Sequence, residues 1–573
     1  MKYWIIIIAF IIGALIAGPA LYFHYFDPAY QGIEFFGSDA EDDYLAQIQE
    51  VYDGHWFSGN LYWADQKGAP YPLQFLSPFL VGMFGKILGI SAIGVNLLTK
   101  FVLPFFLTIV IYLFFEAITK RKDWALVMAV FIMLTQATWA FLNPGSWASI
   151  LLRGEFPGTD PGFLNYARPI NPQVSSFFFF GYLLCLWKFL FEEFSSKKKI
   201  FLGIGSGLIL GLSFYTYFFS YSFLLAFTGI LFLWFLYKKD RKQIKKILIV
   251  VGLAVIIGIP YFLSLAEFLQ SPLYENLASI QGVLYNRQFI FSRVWWGVFL
   301  LLLVFYRRLP DNFRAFVLPL WIAGFFVTNQ QLITGRTAPV PSHYHWYFVA
   351  PLGGALLIYL FLLNLERLGA AIISKITAVI ILLIFIYSGF LFQKDSYSVG
   401  RDYWAGLQRY RPALSWFQKN APAESVVFAN EDLADLLSVY TSHNVYFTNK
   451  ITNYLADPRR LKDSYFIYFF LDGANQNNAR EYFYSHRGDI GNHFFGHYYR
   501  KTGGCYGCFP DSLLDGLILE YQDFLKKDFA SELKKYRLDY VIWNRVQDPS
   551  WNMDRFFSKK IYDQDNLVIY SAF

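Results

Sequence analysis

Between Gly37 and Gly54 the chain sets Asp39, Glu41, Asp42 and Asp43 within five positions, followed by Tyr44, Leu45, Ile48, Val51 and Tyr52. Four carboxylates this close repel one another, which raises the pKa of at least one of them and attracts a cation. Part of the pattern has an ordinary cause. Ser38-x-x-Glu41 is a capping box, and acids in a first turn suit the helix dipole. That accounts for one or two of the acids, not four. The apolar positions fall on one helical face, so the spacing predicts an amphipathic helix lying in a membrane interface, begun at Ser38 and stopped at Gly54. On it Asp42 sits nearest the junction of the polar and apolar faces. Glu41 falls on the apolar face, as a cap or as the carboxylate with the raised pKa, and Asp43 reads as a solvated flank. A general base is therefore expected among Asp39, Glu41 and Asp42, with Asp42 preferred.

Three further groups carry chemistry. Residues 329–346 combine Asn329, Gln330, Gln331, Arg336, His343 and His345, and residues 165–173 add Arg168. A guanidinium grips phosphate oxygens in pairs, so Arg336, Arg168 and His343, with His345 and the amides Asn329 and Gln330, predict a phosphate and sugar site. Arg336 is its expected centre. Each arginine alone also fits a loop anchor. His493 and His497 followed by Cys505 and Cys508 have spacings that suit tetrahedral zinc. On an oxidising side of a membrane a disulfide or two free thiols is the competing reading.

These groups need elements to hold them. The chain has 573 residues, a net charge of +7, 55% hydrophobic residues and 16% charged residues. A soluble chain carries about 25% charged residues, so a wholly water-exposed protein is excluded, as is a disordered one. Three cysteines exclude a disulfide scaffold. Eleven apolar segments have the character of membrane spans: 3–23, 95–118, 124–142, 174–194, 200–217, 221–237, 247–268, 294–306, 316–328, 347–365 and 370–392. Residues 73–90, broken by Pro78, Gly82, Gly85 and Lys86, predict an interfacial or half-inserted helix. Gly203, Gly207 and Gly211 predict a close-packing helix face. With the N-terminus inside, eighteen basic residues fall in cytoplasmic connections and six in the opposite short loops. This bias predicts a cytoplasmic N-terminus and an extracytoplasmic C-terminal region.

The chain thus divides into a membrane domain, 1–394, with an acidic first outer loop at 24–72, and an extracytoplasmic domain, 395–573. In the second, strands are expected at Val426, Val445, Tyr540 and Leu567, with helices at 432–439, 511–526 and 531–536, a small α/β domain that serves as a scaffold or an acceptor-docking lid.

This pattern resembles the GT-C glycosyltransferase superfamily, which includes the protein O-mannosyltransferases, the lipid A aminoarabinose transferases and the oligosaccharyltransferase catalytic subunits. Locally, Glu41-Asp42-Asp43-Tyr44-Leu45-Ala46-Gln47-Ile48, Asp53-Gly-His, Asn329-Gln-Gln and Ser415-Trp-Phe-Gln-Lys-Asn-Ala-Pro422 resemble prokaryotic members of that superfamily. The Trp-Trp-Asp-Tyr-Gly stretch that marks oligosaccharyltransferases does not occur, which favours transfer of a single sugar. The resemblance implies a multi-pass cell-membrane enzyme that moves a hexose or pentose from a polyprenyl-phosphate donor, usually with inversion, to a glycan, lipid or protein acceptor outside the cytoplasm. It implies no nucleic-acid partner and no required cofactor. A divalent cation at the first-loop acids and a structural zinc remain alternatives. The competing functional classes are a non-catalytic scaffold or receptor and a lipid or glycan transporter or flippase. A transporter would place ionisable groups near the midplane of the spans, whereas here they crowd the outer loops.

Overall fold

The computed structural model describes residues 2–36, 41–139 and 162–572. Ser38, Asp39, Arg153 and the end of the expected 124–142 span lie outside the described residues. Each of the eleven expected spans overlaps helix within its described residues. Among the described residues, seven helices are long and apolar enough to cross a membrane, including Ala92–Thr119, Phe218–Tyr237 and Arg241–Gln270. The chain is a polytopic α-helical membrane protein with a C-terminal α/β domain. The membrane helices share one core, which runs from Ile12 on the first helix to Phe385 on the last.

Local chemistry explains the helix contacts. Gly207 and Gly211, on the helix Ser196–Ser213, face Leu253 and Ile257 so closely that an added Cβ would lie 2.9 Å and 2.8 Å from those side chains. Two of the three expected glycines therefore lie where this helix meets Arg241–Gln270, while Gly203 faces Phe189 of the helix Gln173–Phe191. The broken segment forms a helix of 13 residues. The first four helices are α1, Lys2–Phe26; α2, Glu41–Asp53; α3, Leu76–Leu88; and α4, Ala92–Thr119. Gly82 and Gly85 of α3 sit against Val51 and Tyr52 of α2. The two glycines that look like breaks in the sequence thus let two backbones approach.

The expectation that α2 lies in the membrane interface is corrected. Leu45, Ala46 and Ile48 are buried in a core shared with the C-terminal domain, and α2 packs between α3 and the helix Glu431–Tyr440. Its apolar face meets protein because the C-terminal domain supplies a second apolar surface. Glu41 is fully buried, with Lys100 of α4 at 2.5 Å and the Asn96 amide at 2.9 Å.

The expected domain boundary at 394/395 falls within the helix Ala371–Leu407, which runs on past it. Beyond that helix, five strands form one sheet in the order β2-β1-β3-β5-β4: β1 Val426–Phe428, β2 Asn444–Val445, β3 Tyr540–Asn544, β4 Lys560–Gln564 and β5 Leu567–Ser571. The first three are parallel, and β5 pairs antiparallel with β3 and β4. At the β2 edge the Val445 amide donates to the Tyr62 carbonyl at 3.0 Å, so the first outer loop continues the sheet. Trp63 donates its indole N–H to the Tyr446 carbonyl and lies under the Arg460 guanidinium, 4.1 Å from the ring centre.

Replacing one partner of a buried ion pair strands the other charge. Lys100→Met is expected to destabilise the folded protein by about 3–5 kcal/mol, whereas the pair Glu41→Gln/Lys100→Met should recover most of that loss. Thermal unfolding of the purified proteins in one detergent checks both.

Candidate active site

A cavity of about 390 Å³ opens where α2, the 71–78 segment, Thr216–Tyr217, residues 268–281 and the loop 453–455 meet. Asp43 stands in its wall. Its Oδ1 accepts from the hydroxyls of Tyr62 and Tyr454, each at 2.9 Å, while Oδ2 receives only the Gln47 amide at 3.3 Å. Burial pushes the Asp43 carboxyl above the usual carboxylate range, against the opposing pull of the two tyrosine hydroxyls, Gln47 and the more distant charge of Arg168. The residue is half-buried and lines the cavity, and Oδ2 has only the weak contact to Gln47. The solvated-flank reading of Asp43 is thereby corrected. Position 43 faces inward because α2 is covered by the C-terminal domain, which delivers Tyr454.

Arg168 lies behind Tyr44. It donates to the Tyr44 hydroxyl at 2.9 Å and to the Asn171 carbonyl at 3.1 Å, and its guanidinium stacks over the rings of Tyr44 and Tyr347 at 5.0 and 5.7 Å. No carboxylate among the described residues lies within 4 Å of it. His343 joins this cluster through Nδ1, 2.8 Å from the hydroxyl of Tyr217, which lines the cavity with Tyr44 and Asn171. A carboxylate thus lines this cavity, and behind its Tyr44 wall lies a cation with no carboxylate within 4 Å among the described residues.

No family model and no curated protein matches the sequence. Among solved structures, the chain is similar to ArnT from Cupriavidus metallidurans bound to undecaprenyl phosphate, at 10% identity and a TM-score of 0.50 over 100% of this chain and 98% of that one. It is also similar to the oligosaccharyltransferase AglB from Archaeoglobus fulgidus in complex with an inhibitory peptide and a dolichol-phosphate, at 12% identity and a TM-score of 0.46 over 100% and 74% of the two chains. This chain has the GT-C fold.

Within that GT-C fold the sequence-predicted residues scatter. Asp42 is ion-paired to Lys450 of the C-terminal domain, which also holds Asp435 at 3.1 Å. Glu41 is taken up by Lys100, and Asp39 is outside the described residues. Arg336 is bound through one nitrogen to both oxygens of Glu275, at 2.7 and 2.8 Å, and stacks on Tyr285. It is not part of the cavity wall. Asn329 brackets the backbone of Ile290, and Gln330 spans its own loop to the Arg336 carbonyl. His345 packs on Trp346, 4.9 Å between ring centres. Of the six substrate-side residues, only Arg168 and His343 touch side chains of the cavity wall, Tyr44 and Tyr217, and neither lines the cavity itself.

The zinc reading is corrected. Cys505 and Cys508 are joined to each other as a disulfide, which removes both thiolates from a tetrahedral set. His493 is buried against the Tyr465 ring, and His497 lies beside Tyr506. Among the described residues no group of three or more His, Cys, Asp or Glu side chains is arranged to hold a metal ion.

Sequence reasoning missed Tyr62, Tyr454 and Lys450, which lie up to several hundred positions from α2 and carry no motif. It also missed a charged quartet at the far end of the cavity. Lys67 Nζ is 2.7 Å from Glu50 and 3.3 Å from Glu424, and His55 Nδ1 is 3.0 Å from Glu50.

The sign of the Asp43 shift gives a stability test. A carboxyl whose folded pKa is raised costs stability as pH climbs from the unfolded value through the folded one, and costs nothing below both. Asp43→Asn should therefore match wild type near pH 4 and become progressively more thermostable than wild type toward pH 8, as thermal midpoints across that range will reveal.

Proposed function

We propose that this chain is an integral-membrane glycosyltransferase that moves a sugar from a polyprenyl-phosphate carrier to an acceptor hydroxyl on the extracytoplasmic side. The observation that carries the reading is the placement of Asp43 in the cavity wall, with Arg168, which has no carboxylate within 4 Å among the described residues, on the far side of Tyr44. The relative with the same fold, ArnT, was solved with undecaprenyl phosphate, which favours a lipid phosphate as the group that Arg168 meets. The excess of basic residues in the connections on the N-terminal side favours an outward-facing site.

In the proposed reaction the acceptor oxygen attacks the anomeric carbon and gives its proton to Asp43 Oδ2. The bond from that carbon to the phosphate oxygen breaks, and its electron pair leaves on the lipid phosphate. The guanidinium of Arg168 offsets the charge that develops there, in a site whose donors are already oriented. His343 and Tyr217 extend the donor set on the phosphate side. Because the bonds form and break on opposite faces of the carbon, the product is inverted.

The roles predict different kinetic losses. Asp43→Asn should lower turnover by about 10²–10⁴-fold with little change in donor affinity. Arg168→Gln should instead weaken donor binding, by roughly 10- to 150-fold for a lost charge-assisted contact. The wild-type rate should fall as the pH drops through the raised pKa of Asp43, on a limb that lies above the ordinary carboxylate range. Transfer of labelled sugar from a polyprenyl-phosphate donor measures all three. A mirror-image result, with Asp42→Asn inactive and Asp43→Asn active, would move the base to Asp42.

A further inference from the structure

The cavity continues past Asp43, away from Arg168. Asp43, Gln47 and Glu50 form one stripe of α2, at i, i+4 and i+7, and all three line the same wall. At 1.5 Å per residue the stripe runs about 10 Å, roughly the span of a sugar ring and its substituents. At its end His55 is held through Nδ1 by Glu50 at 3.0 Å, with Lys67 at 3.2 Å. The Nε2 atom of His55 has no hydrogen-bond partner among the described residues, and the side chain is 37% exposed. A carboxylate on one ring nitrogen fixes the ring and leaves the other nitrogen to a ligand.

Most of the charges here are paired within the protein; Asp53, close by, accepts from the Gln49 amide at 3.0 Å, and burial pushes its carboxyl up to about 6. Glu50 and Glu424 face Lys67 and His55, whose pKa is raised by its hydrogen bond to Glu50. This end therefore asks for neither an anion nor a cation. What it offers is uncharged hydrogen bonding beside an aromatic face: Gln47, Gln281, Asn453 and the Trp56 indole, which is 44% exposed. Gln281 donates to the Thr452 carbonyl and to Asn453 Oδ1 at 3.2 and 3.1 Å. The wall is thus shared between the membrane part and the C-terminal domain. Amides, an imidazole and an exposed ring together suit a neutral, hydroxyl-rich ring.

We propose that the end of the cavity formed by Gln47, Glu50, His55, Gln281 and Asn453 is the acceptor subsite, and that the acceptor it takes is an uncharged sugar. This rests on the glycosyltransferase reading, in which the incoming hydroxyl must lie on the opposite side of the anomeric carbon from the phosphate. The same chemistry serves a free glycan or the terminal sugar of a larger glycoconjugate.

Binding of the methyl glycosides of glucose, galactose, mannose and N-acetylglucosamine to the full chain in detergent, read by tryptophan fluorescence, tests the subsite. At least one should bind saturably, in the presence or absence of undecaprenyl phosphate. His55→Ala and Gln281→Ala should each weaken that binding about five- to tenfold, the loss expected for one hydrogen bond, while Arg168→Gln leaves it unchanged. Thermal midpoints identify a variant that fails to fold, in which case the other decides. The proposal is overturned if none of the four sugars binds saturably or if both folded variants bind as wild type. Displacement by undecaprenyl phosphate, or loss of binding in Arg168→Gln, would also overturn it by assigning the sugar to the donor end. A wild-type protein that binds these sugars but turns over no lipid-linked donor would instead count against the glycosyltransferase reading alone.

Discussion

A helix buried on two sides cannot leave its carboxylates bare, and α2 carries several. Desolvating a charge costs several kcal/mol even after the protein relaxes, so each acid must meet a cation, a set of hydrogen-bond donors or a proton. Glu41 meets Lys100, Asp42 meets Lys450 and Glu50 meets Lys67. Asp43 meets only neutral donors, two tyrosine hydroxyls and an amide. Its charge is tolerated but not cancelled, which is the condition a general base requires. The ion pairs of its neighbours set the helix rotation that puts Asp43, and no other described acid of the first turn, into the cavity wall.

The same burial makes the C-terminal domain part of the site. The Tyr62 carbonyl extends the sheet at β2, and the loop that follows β2 returns Lys450 and Tyr454 to α2. Lys501 also donates to the carbonyls of Gly282 and Pro339, which fastens the domain to two loops of the membrane part. The domain thus closes the cavity it helps to line. A scaffold that merely sat above the membrane would not place a hydroxyl on the central carboxylate.

Arg168 and Arg336 show how alike residues diverge. Both lie in outer loops beside amides, and both stack on tyrosines. Arg336 is neutralised by both oxygens of Glu275, whereas Arg168 is surrounded by Tyr44, Tyr217 and Tyr347, which stabilise a cation by hydrogen bonds and ring faces without cancelling it. Nothing in the spacing of residues 329–346 reveals that Glu275, on the short helix Tyr274–Ile280, will fold against them.

Properties that depend on a run of neighbouring residues were determined by the sequence alone. Apolar length located the membrane helices, four-residue glycine spacing located a close-packing helix face, and blocks of β-branched and aromatic residues located strands β1, β3 and β5. Strand β4, mostly exposed and carrying Lys560, Asp563 and Gln564, lacks such a signal and went unread. The acidic run drew attention to the helix that lines the cavity, but which of its acids faces that cavity did not follow. Helical periodicity fixes which residues share a face and says nothing of what will cover that face. Only the tertiary structure decided that protein rather than lipid covers α2, because the covering surface comes from residues nearly four hundred positions away. That choice paired three of the five acids of α2 with lysines and turned Asp43 inward onto two tyrosines.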